Sequence, residues 1–336
     1  MRYGHIRSDR CGIVLAGGDG RRLQPFIRRL VGYDLPKQYM RFVGTRSMLE
    51  HTWDRAGRLV AAERLFTVIA RDHLEHGEVR RQISSRAAGT VIVQPANRET
   101  GPGILLPLMH LHKRYPHATV AIFPSDHFIL EEGLFAAHVR EAFEFVERAP
   151  EKIAFLAAVP TGPEPEYGYI LPDYEDARPT LPARRIKAFI EKPESRMAAR
   201  LLDLGALWNT MVMVFRPDSL LDLVRLSNPA LHRAFQRIFR ALGTTRETGA
   251  VERAYRNLPS VNFSRDLLEV MDVYDRGQLS VVPMKGVFWS DWGSEERIRS
   301  VLRKYGHHDC MHGVRLVMRS RGIIVRDPGP RRVAGL

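Results

Sequence analysis

The sequence is poor in cysteine and has no long apolar segment. Its 336 residues contain two cysteines, Cys11 and Cys310, which lie too far apart to form a zinc-binding motif. No run approaches the roughly 18 apolar residues that a membrane-spanning helix requires. The first ten residues are charged and lack the apolar stretch of a secretory signal. These absences argue against a disulfide scaffold and a helical membrane protein, and we expect a cytoplasmic protein with no membrane partner.

Acidic residues are also few relative to basic ones. The chain has 38 Asp and Glu against 51 Lys and Arg, a net charge of +13. Ten of these basic residues and only two aspartates lie in residues 297–336, which we interpret as a basic C-terminal extension. No helix-turn-helix spacing, aromatic RNA-binding pattern or Cys/His finger accompanies the excess, so a nucleic-acid partner is not expected. A basic tail typically forms a solvated surface or a contact between subunits. The possibility that the protein forms a homo-oligomer is therefore left open.

Short β-branched runs alternate with helical patterns along the first half of the chain. This alternation predicts an α/β fold, a Rossmann-like and mostly parallel open sheet with helices on both faces. Ligands bind such sheets at the carboxyl ends of the strands, so the residues after each strand are site candidates. The predicted strands cover residues 12–16, 65–70, 90–94, 118–123 and 153–159, and the predicted helices cover residues 48–60, 74–85, 103–115 and 134–148.

The pattern changes after residue 159. Proline and turn residues cluster at 160–182, and short strand patterns follow at 167–171 and 184–190. Helical patterns run from residue 217 to about 255, and a last strand is predicted at 279–283. We interpret this part as an antiparallel lobe inserted to hold a second ligand. Residues 11–296 are accordingly predicted to form one catalytic domain.

The first predicted strand ends in a glycine-rich loop, LAGGDGRRLQPF, at residues 15–26. Glycines let the backbone approach a phosphate with its N–H groups, and the adjacent Arg21 and Arg22 suit bidentate phosphate contacts. The loop is not a dinucleotide fingerprint, because Leu23 stands where the third glycine would be. It also lacks the Gly-Lys-Ser/Thr of a P-loop. The alternative is a glycine turn with solvated arginines.

Lysine is the minority cation, with seven lysines among the 51 basic residues. Lys37 and Lys192 both stand in proline-adjacent motifs, PKQ and EKP, which indicates a specific use for a compact ammonium group. Two exposed lysines would nevertheless need no explanation.

Two aspartates are candidate ligands for a divalent cation. Asp126 follows a predicted strand in PSDH, and Asp291 lies far along the chain in WSDWGS. Carboxylates beside phosphate oxygens are the donors that Mg²⁺ prefers. The alternatives are a helix N-cap for Asp126 and an Asx-turn for Asp291.

Eight segments, in order, resemble the sugar-1-phosphate nucleotidyltransferases, and most closely the mannose-1-phosphate guanylyltransferases. The resemblance covers residues 12–294. It implies that a nucleotidyl group is transferred from a nucleoside triphosphate to a hexose 1-phosphate. The implied substrates are GTP, which donates GMP, or another NTP, and a sugar such as mannose 1-phosphate. It implies release of pyrophosphate and Mg²⁺ as cofactor, and it assigns the inserted lobe to sugar binding. The segments are GGDGRRL at 17–23, PKQ at 36–38, NRETGPGI at 97–104, PSDH at 124–127, EYGYI at 166–170, FIEKPE at 189–194, WNT at 208–210 and SDWGS at 290–294.

The resemblance implies a role for each matching residue. It makes Arg22, Lys37 and Asp126 catalytic, and Asp126 and Asp291 ligands of the metal. The implied nucleotide-binding residues are Leu15, Gly17, Gly18, Gly20, Arg21, Gln94, Arg98 and Thr100. The implied residues for the sugar phosphate are Tyr167, Gly168, Glu191, Lys192 and Asn209.

Some residues depart from the family's motifs. Arg21 replaces a threonine, Gln94 stands where the guanylyltransferases usually have glutamate, and Glu166 and Met211 replace glycines. The metal- and phosphate-binding residues are intact, so the departures concern base and sugar. Two alternatives stay open: the same reaction with another base or sugar, and a catalytically silent regulatory homologue.

Overall fold

A mixed β-sheet forms the centre of the computed structural model, which describes residues 9–175, 182–270, 277–305, 316–319 and 322–325. The apolar β-branched runs of the sequence lie in its strands and are largely buried. The strands are β1 (Arg10–Ala16), β2 (Leu65–Ala70), β3 (Val91–Gln94), β4 (Thr119–Pro124), β5 (Phe128–Ile129), β6 (Ile153–Ala158), β7 (Gly168–Pro172), β8 (Arg184–Glu191), β9 (Leu207–Phe215), β10 (Leu279–Met284), β11 (Trp289–Ser290), β12 (Leu316–Arg319) and β13 (Gly322–Val325).

The helices follow amphipathic segments of the sequence. In α5, for example, Phe135, Val139, Phe143 and Val146 recur at helical spacing and are all buried. The helices are α1 (Gln24–Val31), α2 (Met48–Gly57), α3 (Gly77–Ile83), α4 (Thr100–Arg114), α5 (Glu132–Arg148), α6 (Ser195–Asp203), α7 (Pro217–Ser227), α8 (Pro229–Ala241), α9 (Glu247–Asn257) and α10 (Glu295–Tyr305).

The nine-stranded sheet has the order β3-β2-β1-β4-β9-β6-β10-β8-β7. Strands β3, β2, β1 and β4 are parallel, as the alternation predicts. Strand β9 runs antiparallel between β4 and β6, and β7 and β8 form an antiparallel pair at the far edge. The α/β fold and the antiparallel part are confirmed, but the sheet is more mixed than "mostly parallel". The sequence analysis did not identify β9, because the polar Asn209 and Thr210 interrupt its apolar run.

Helices cover both faces of the sheet. One face buries an apolar cluster that includes Trp53 of α2 and Phe143 of α5. The other face buries a second cluster that includes Leu105 of α4, Leu220 of α7 and Phe235 of α8. This arrangement confirms the expected layers. Within the described residues, none of the helices combines the length and the apolar character needed to cross a bilayer.

A two-stranded sheet joins two distant segments of the chain. Strand β11 pairs antiparallel with β5, with Ser290 opposite Phe128. Trp292 stacks on Phe128 at 4.6 Å between ring centroids. Because Asp126 lies just before β5 and Asp291 just after β11, this pairing carries both aspartates to the same end of the molecule.

Helix α10 crosses the boundary expected at residues 296 and 297. Ile298, Val301 and Leu302 are buried against the same cluster as α2 and α5. The first turns of the expected basic extension are therefore part of the packed core.

Two further strands lie in the predicted extension. Strands β12 and β13 pair antiparallel. Cys310 lies outside the described residues.

Candidate active site

The glycine-rich loop after β1 is fixed by side chains beneath it. The amide Nε2 of the buried Gln38 donates to the carbonyl oxygens of Ala16 at 2.8 Å and Gly18 at 2.9 Å. The hydroxyl of Ser125 donates to the carbonyl of Leu15 at 2.6 Å. All three hydrogen bonds are accepted by carbonyl oxygens of the loop, so they do not use its backbone N–H groups. Backbone N–H groups are the part of such a loop that can bind an anion. The sequence analysis missed Gln38 as a positioning residue, although it follows Lys37 in the motif.

Two loop glycines have no room for a side chain. A Cβ on Gly17 would lie 2.4 Å from Nε2 of Gln94. Gly20 has a φ of +62°, and a Cβ on it would lie 3.2 Å from the backbone N of Lys37. Gln94 is buried, and its Nε2 donates to the carbonyl of Gly17 at 3.3 Å. Its Oε1 accepts from the hydroxyl of Tyr255 at 3.5 Å. The structure therefore brings Gln94 to the loop, where its amide holds Gly17.

Lys37 connects the two aspartates. Its Nζ lies 3.0 Å from Oδ2 of Asp126 and donates to the carbonyl oxygen of Asp291 at 2.7 Å. Burial alone would raise the pKa of Asp126, but Lys37 and His127 together hold it below its usual range. Asp126 is consequently ionised at neutral pH, and its side chain remains 37% exposed. The three motifs PKQ, PSDH and SDWGS thus meet at one point.

The carboxylate of Asp291 is held by three donors on one oxygen. Oδ1 accepts from the hydroxyl of Tyr167 at 3.1 Å, from Gly293 N at 2.9 Å and from Nη1 of Arg297 at 2.5 Å. Burial raises the pKa of Asp291, but Lys37 and Arg297 lower it below its usual range. Arg297 also pairs with a second carboxylate, Glu164, at 2.9 Å. The sequence analysis missed Arg297, since it was counted with the basic extension.

The donor chemistry of Asp126 and Asp291 fits Mg²⁺. Mg²⁺ is commonly held by one or two carboxylates and completes its shell with phosphate oxygens and water. Asp126 offers an ionised, partly exposed carboxylate. In Asp291, Oδ1 accepts the three hydrogen bonds described above, and Oδ2 takes part in none of them.

A second cluster of possible metal ligands, which the sequence analysis did not predict, lies elsewhere in the described structure. Asp19, Asp72 and His73 have one ligand atom each within 4.8 Å of one another.

The loop arginines are exposed. Arg22 pairs with Glu166, which stands where the family's motif has glycine, and its side chain is 57% exposed. Arg21 lies 3.1 Å from Asp19 and is more exposed still. Both guanidinium groups are thus accessible to a phosphate, and Arg22 has a carboxylate partner that a phosphate would have to displace.

Arg98 lies just before α4 and Thr100 is its first residue. Nε of Arg98 donates to the carbonyl of Tyr255 at 3.1 Å, and the hydroxyl of Thr100 accepts from Phe263 N at 2.8 Å. These side chains tie the start of α4 to α9 and to the segment after it. In the described structure their contacts are therefore with the scaffold rather than with the glycine-rich loop.

Three of the expected sugar-binding residues meet at the edge of the sheet. Gly168 of β7 lies opposite Glu191 of β8, and a Cβ on Gly168 would lie 2.6 Å from Oε2 of Glu191 and 3.4 Å from Cβ of Asn209. Burial raises the pKa of Glu191, Lys192 lowers it and Glu269 raises it further, with a net upward shift. Nδ2 of Asn209 donates to the hydroxyl of Ser264 at 3.2 Å.

Among the residues that the structure describes, four non-glycine residues have a positive φ, namely +69° at Glu99, +48° at Lys192, +57° at Met211 and +46° at Trp292. Each lies within or directly beside one of the eight segments. Such conformations cost of order 1–3 kcal/mol and cluster at functional sites. Lys192 is exposed, and its backbone N–H donates to the carbonyl of Tyr167 at 3.1 Å. Met211 takes the conformation for which glycine is suited.

The fold and the site define an α/β protein with a glycine-rich loop at the carboxyl edge of its parallel strands, the edge at which such sheets bind ligands. The sequence model of the nucleotidyl transferase family matches residues 11–307, and the chain belongs to this family.

Named relatives agree with this assignment. The chain is 28% identical over 309 residues to a xanthan biosynthesis protein, XanB, of Xanthomonas campestris pv. campestris, covering 91% of this chain and 62% of that protein. It is 27% identical over 307 residues to a mannose-1-phosphate guanylyltransferase of Salmonella montevideo, covering 90% and 62%. The chain thus spans 62% of the length of these two relatives.

A solved structure is also similar. It is described as a mannose-1-phosphate geranyltransferase from Thermus thermophilus, with a TM-score of 0.73 and 26% identity. The match covers 87% of this chain and 79% of that chain. A mannose-6-phosphate isomerase from Helicobacter pylori, at 19% identity and a TM-score of 0.63, shares the fold.

Proposed function

We propose that the chain transfers a nucleotidyl group from a nucleoside triphosphate to a sugar 1-phosphate and releases pyrophosphate, with GTP and mannose 1-phosphate as its substrates. The family supports the reaction class, and relatives named mannose-1-phosphate guanylyltransferase support the substrates. The observation that carries the proposal is the meeting of Lys37, Asp126 and Asp291 beside the glycine-rich loop.

The reaction is an in-line substitution at the α-phosphorus. A phosphate oxygen of the sugar 1-phosphate forms a bond to that phosphorus, and the bond to the bridging oxygen of the leaving pyrophosphate breaks with its electron pair. No covalent enzyme intermediate forms, so the protein acts by positioning and by neutralising charge. Lys37 and Arg22 supply positive charge to the phosphates. Asp126 and Asp291 hold Mg²⁺, which when bound neutralises and orients the triphosphate.

The sugar lies between β7, β8 and β9 in this proposal. Glu191 accepts from sugar hydroxyls, and the ammonium of Lys192 pairs with the sugar phosphate. Asn209 and Gly168 form the wall and floor beside Glu191. Met211 reaches the same place, because its sulfur lies 3.5 Å from Nδ2 of Asn209 and 3.2 Å from the hydroxyl of Ser264.

The substrates are tested with a matrix of nucleoside triphosphates and hexose 1-phosphates, read out as pyrophosphate release by the purified chain. We expect the highest kcat/KM with GTP and mannose 1-phosphate. A different best pair would keep the reaction and correct the substrates. No release with any pair in the presence of Mg²⁺ would favour the silent regulatory homologue.

Gly168→Ala is expected to weaken sugar-phosphate binding selectively. The new Cβ would displace the Glu191 carboxylate, which lies 2.6 Å from its position. We expect KM for mannose 1-phosphate to rise about tenfold or more, with KM for GTP within about twofold. Gly133→Ala is the matched control, because a Cβ on Gly133 meets no atom within 4 Å. Equal effects of both substitutions on the two KM values would remove Gly168 from the sugar site.

Glu191, Lys192 and Met211 are expected to affect the sugar in different ways. Lys192→Ala should raise KM at least about tenfold for mannose, glucose and galactose 1-phosphate alike, because an ammonium pairs with the phosphate they share. Glu191→Gln should change the ranking among the three, since it alters hydroxyl recognition. Met211→Gly should broaden the range of accepted sugars and suits the backbone at φ +57°. An unchanged ranking in both Glu191→Gln and Met211→Gly would show that neither residue lines the sugar site.

A further inference from the structure

A large cavity opens between α8 and α9, away from the candidate active site. Its volume is about 1000 Å³, within the range of sites that bind cofactors and drug-sized molecules. Its floor is apolar and includes Leu231, Ala234 and Leu258. Of the residues that the structure describes, four arginines and no acidic residue line this α8–α9 cavity. The arginines are Arg237, Arg240, Arg246 and Arg253.

These four arginines are exposed and have no carboxylate partner within 4 Å among the residues that the structure describes. The nearby acidic residues of α9 are engaged elsewhere. Glu252 pairs with Arg71, and Glu247 accepts from the backbone N–H of Gly243 at 2.7 Å. Both acidic residues line a different cavity, beside β3. The positive charge of the α8–α9 cavity is therefore uncompensated within the described chain.

From this arrangement we infer that the α8–α9 cavity binds an organic ligand that carries at least two phosphate groups. Guanidinium groups form bidentate, charge-assisted hydrogen bonds with phosphate oxygens, and four of them around one cavity suit a ligand of high negative charge. Inorganic phosphate alone would leave the apolar floor uncovered. A ligand with a planar or apolar body, such as a nucleoside diphosphate, would use both features.

The cavity wall is hydrogen-bonded to Gln94 and to the start of α4, both of which belong to the nucleotide site in the proposed function. Tyr255, next to the cavity-lining Ala254, donates from its hydroxyl to the carbonyl of Pro102 at 3.2 Å and to Gln94 at 3.5 Å. The lining residue Val261 accepts from Gly101 N at 2.8 Å. A ligand that shifts α9 would therefore shift Gln94 and the start of α4. This second effect rests on the proposed function, and we expect it as a change in KM for the nucleotide.

Equilibrium dialysis of radiolabelled GDP against the full chain tests the binding site. We expect the double variant Arg240→Ala/Arg253→Ala to lose one GDP site, with its Kd raised at least about tenfold. Arg233→Ala/Arg256→Ala is the matched control, because it removes the same charge from the same helices at exposed positions outside the cavity. The control should keep every site. Guanosine, which lacks phosphates, should not bind in the cavity.

Lys37→Met separates this site from the active site. It should lose GDP binding at the active site alone and keep the site that the Arg240/Arg253 variant loses. Equal stoichiometry and affinity in the unmodified chain and the Arg240/Arg253 variant would overturn the inference, as would equal losses in that variant and its control. Pyrophosphate release by the unmodified chain reports on the proposed function separately. If no release occurs but the cavity variant alone loses a site, the cavity inference stands and the proposed function fails.

Discussion

Asp126→Asn is expected to lower kcat for pyrophosphate release at least about 10³-fold while the chain stays folded. The substitution keeps the size of the side chain and removes its negative charge. That charge pairs with Lys37 at 3.0 Å and, in the proposed function, holds Mg²⁺. The neutral amide loses the charge attraction in both contacts, although its oxygen can still accept a hydrogen bond. The measurement is kcat as a function of Mg²⁺ concentration, with the thermal unfolding midpoint as the check on folding.

Asp72→Asn is the matched control, because Asp72 belongs to the other group of possible ligands, with Asp19 and His73. We expect it to keep kcat within about threefold, as an exposed substitution outside the site usually does. If Asp72→Asn lost activity and Asp126→Asn kept it, the metal would be held by that other group. Full turnover of the unmodified chain in excess chelator would contradict the role of both groups.

Arg22→Ala should lower kcat on the order of 10³-fold, by analogy with arginines that stabilise phosphoryl-transfer transition states. The stability of the protein should change little, because Arg22 is exposed and its surface ion pair with Glu166 contributes about 0–1 kcal/mol. In the proposed function, Arg22 leaves Glu166 and pairs with a phosphate of the substrate when the nucleotide binds. The readout is kcat and KM for GTP, together with the unfolding midpoint.

Arg21→Thr provides the control for this loop, since it restores the family's residue at a more exposed position. We expect kcat to stay within about threefold of the unmodified chain. The opposite ranking of the two variants would mean that the loop residues are aligned one position away from their roles. Equal small effects would remove both arginines from the chemistry.

The parallel half of the sheet could be predicted from sequence, because its strands are continuous apolar runs between helical patterns. Strand β9 could not, since its polar centre is satisfied by partners that only the fold supplies. The hydroxyl of Thr210, for example, donates to the carbonyl of Leu156 at 2.5 Å. Strands β5 and β11 have two residues each, which is too short for any periodicity. Their pairing nevertheless determines where Asp291 lies.

The candidate site was predictable where a motif carries the chemistry itself. The order of the motifs led to Lys37, Asp126 and Asp291, and the structure joins them. Arg297 could not be found, because an arginine in a basic segment gives no sign that it will pair with Asp291. The scaffold contact of Arg98 was equally hidden, since its partner is a backbone carbonyl of a distant helix.

The central claim is that this chain moves a nucleotidyl group to a sugar 1-phosphate, and the fate of labelled GTP tests it most directly. The purified chain is incubated with mannose 1-phosphate, Mg²⁺ and GTP labelled in either the α- or the γ-phosphate. The account predicts that the α-label appears in GDP-mannose and the γ-label in pyrophosphate, in equal amounts. The γ-label in inorganic phosphate or in a sugar bisphosphate, with no α-label in a nucleotide-sugar, would contradict it.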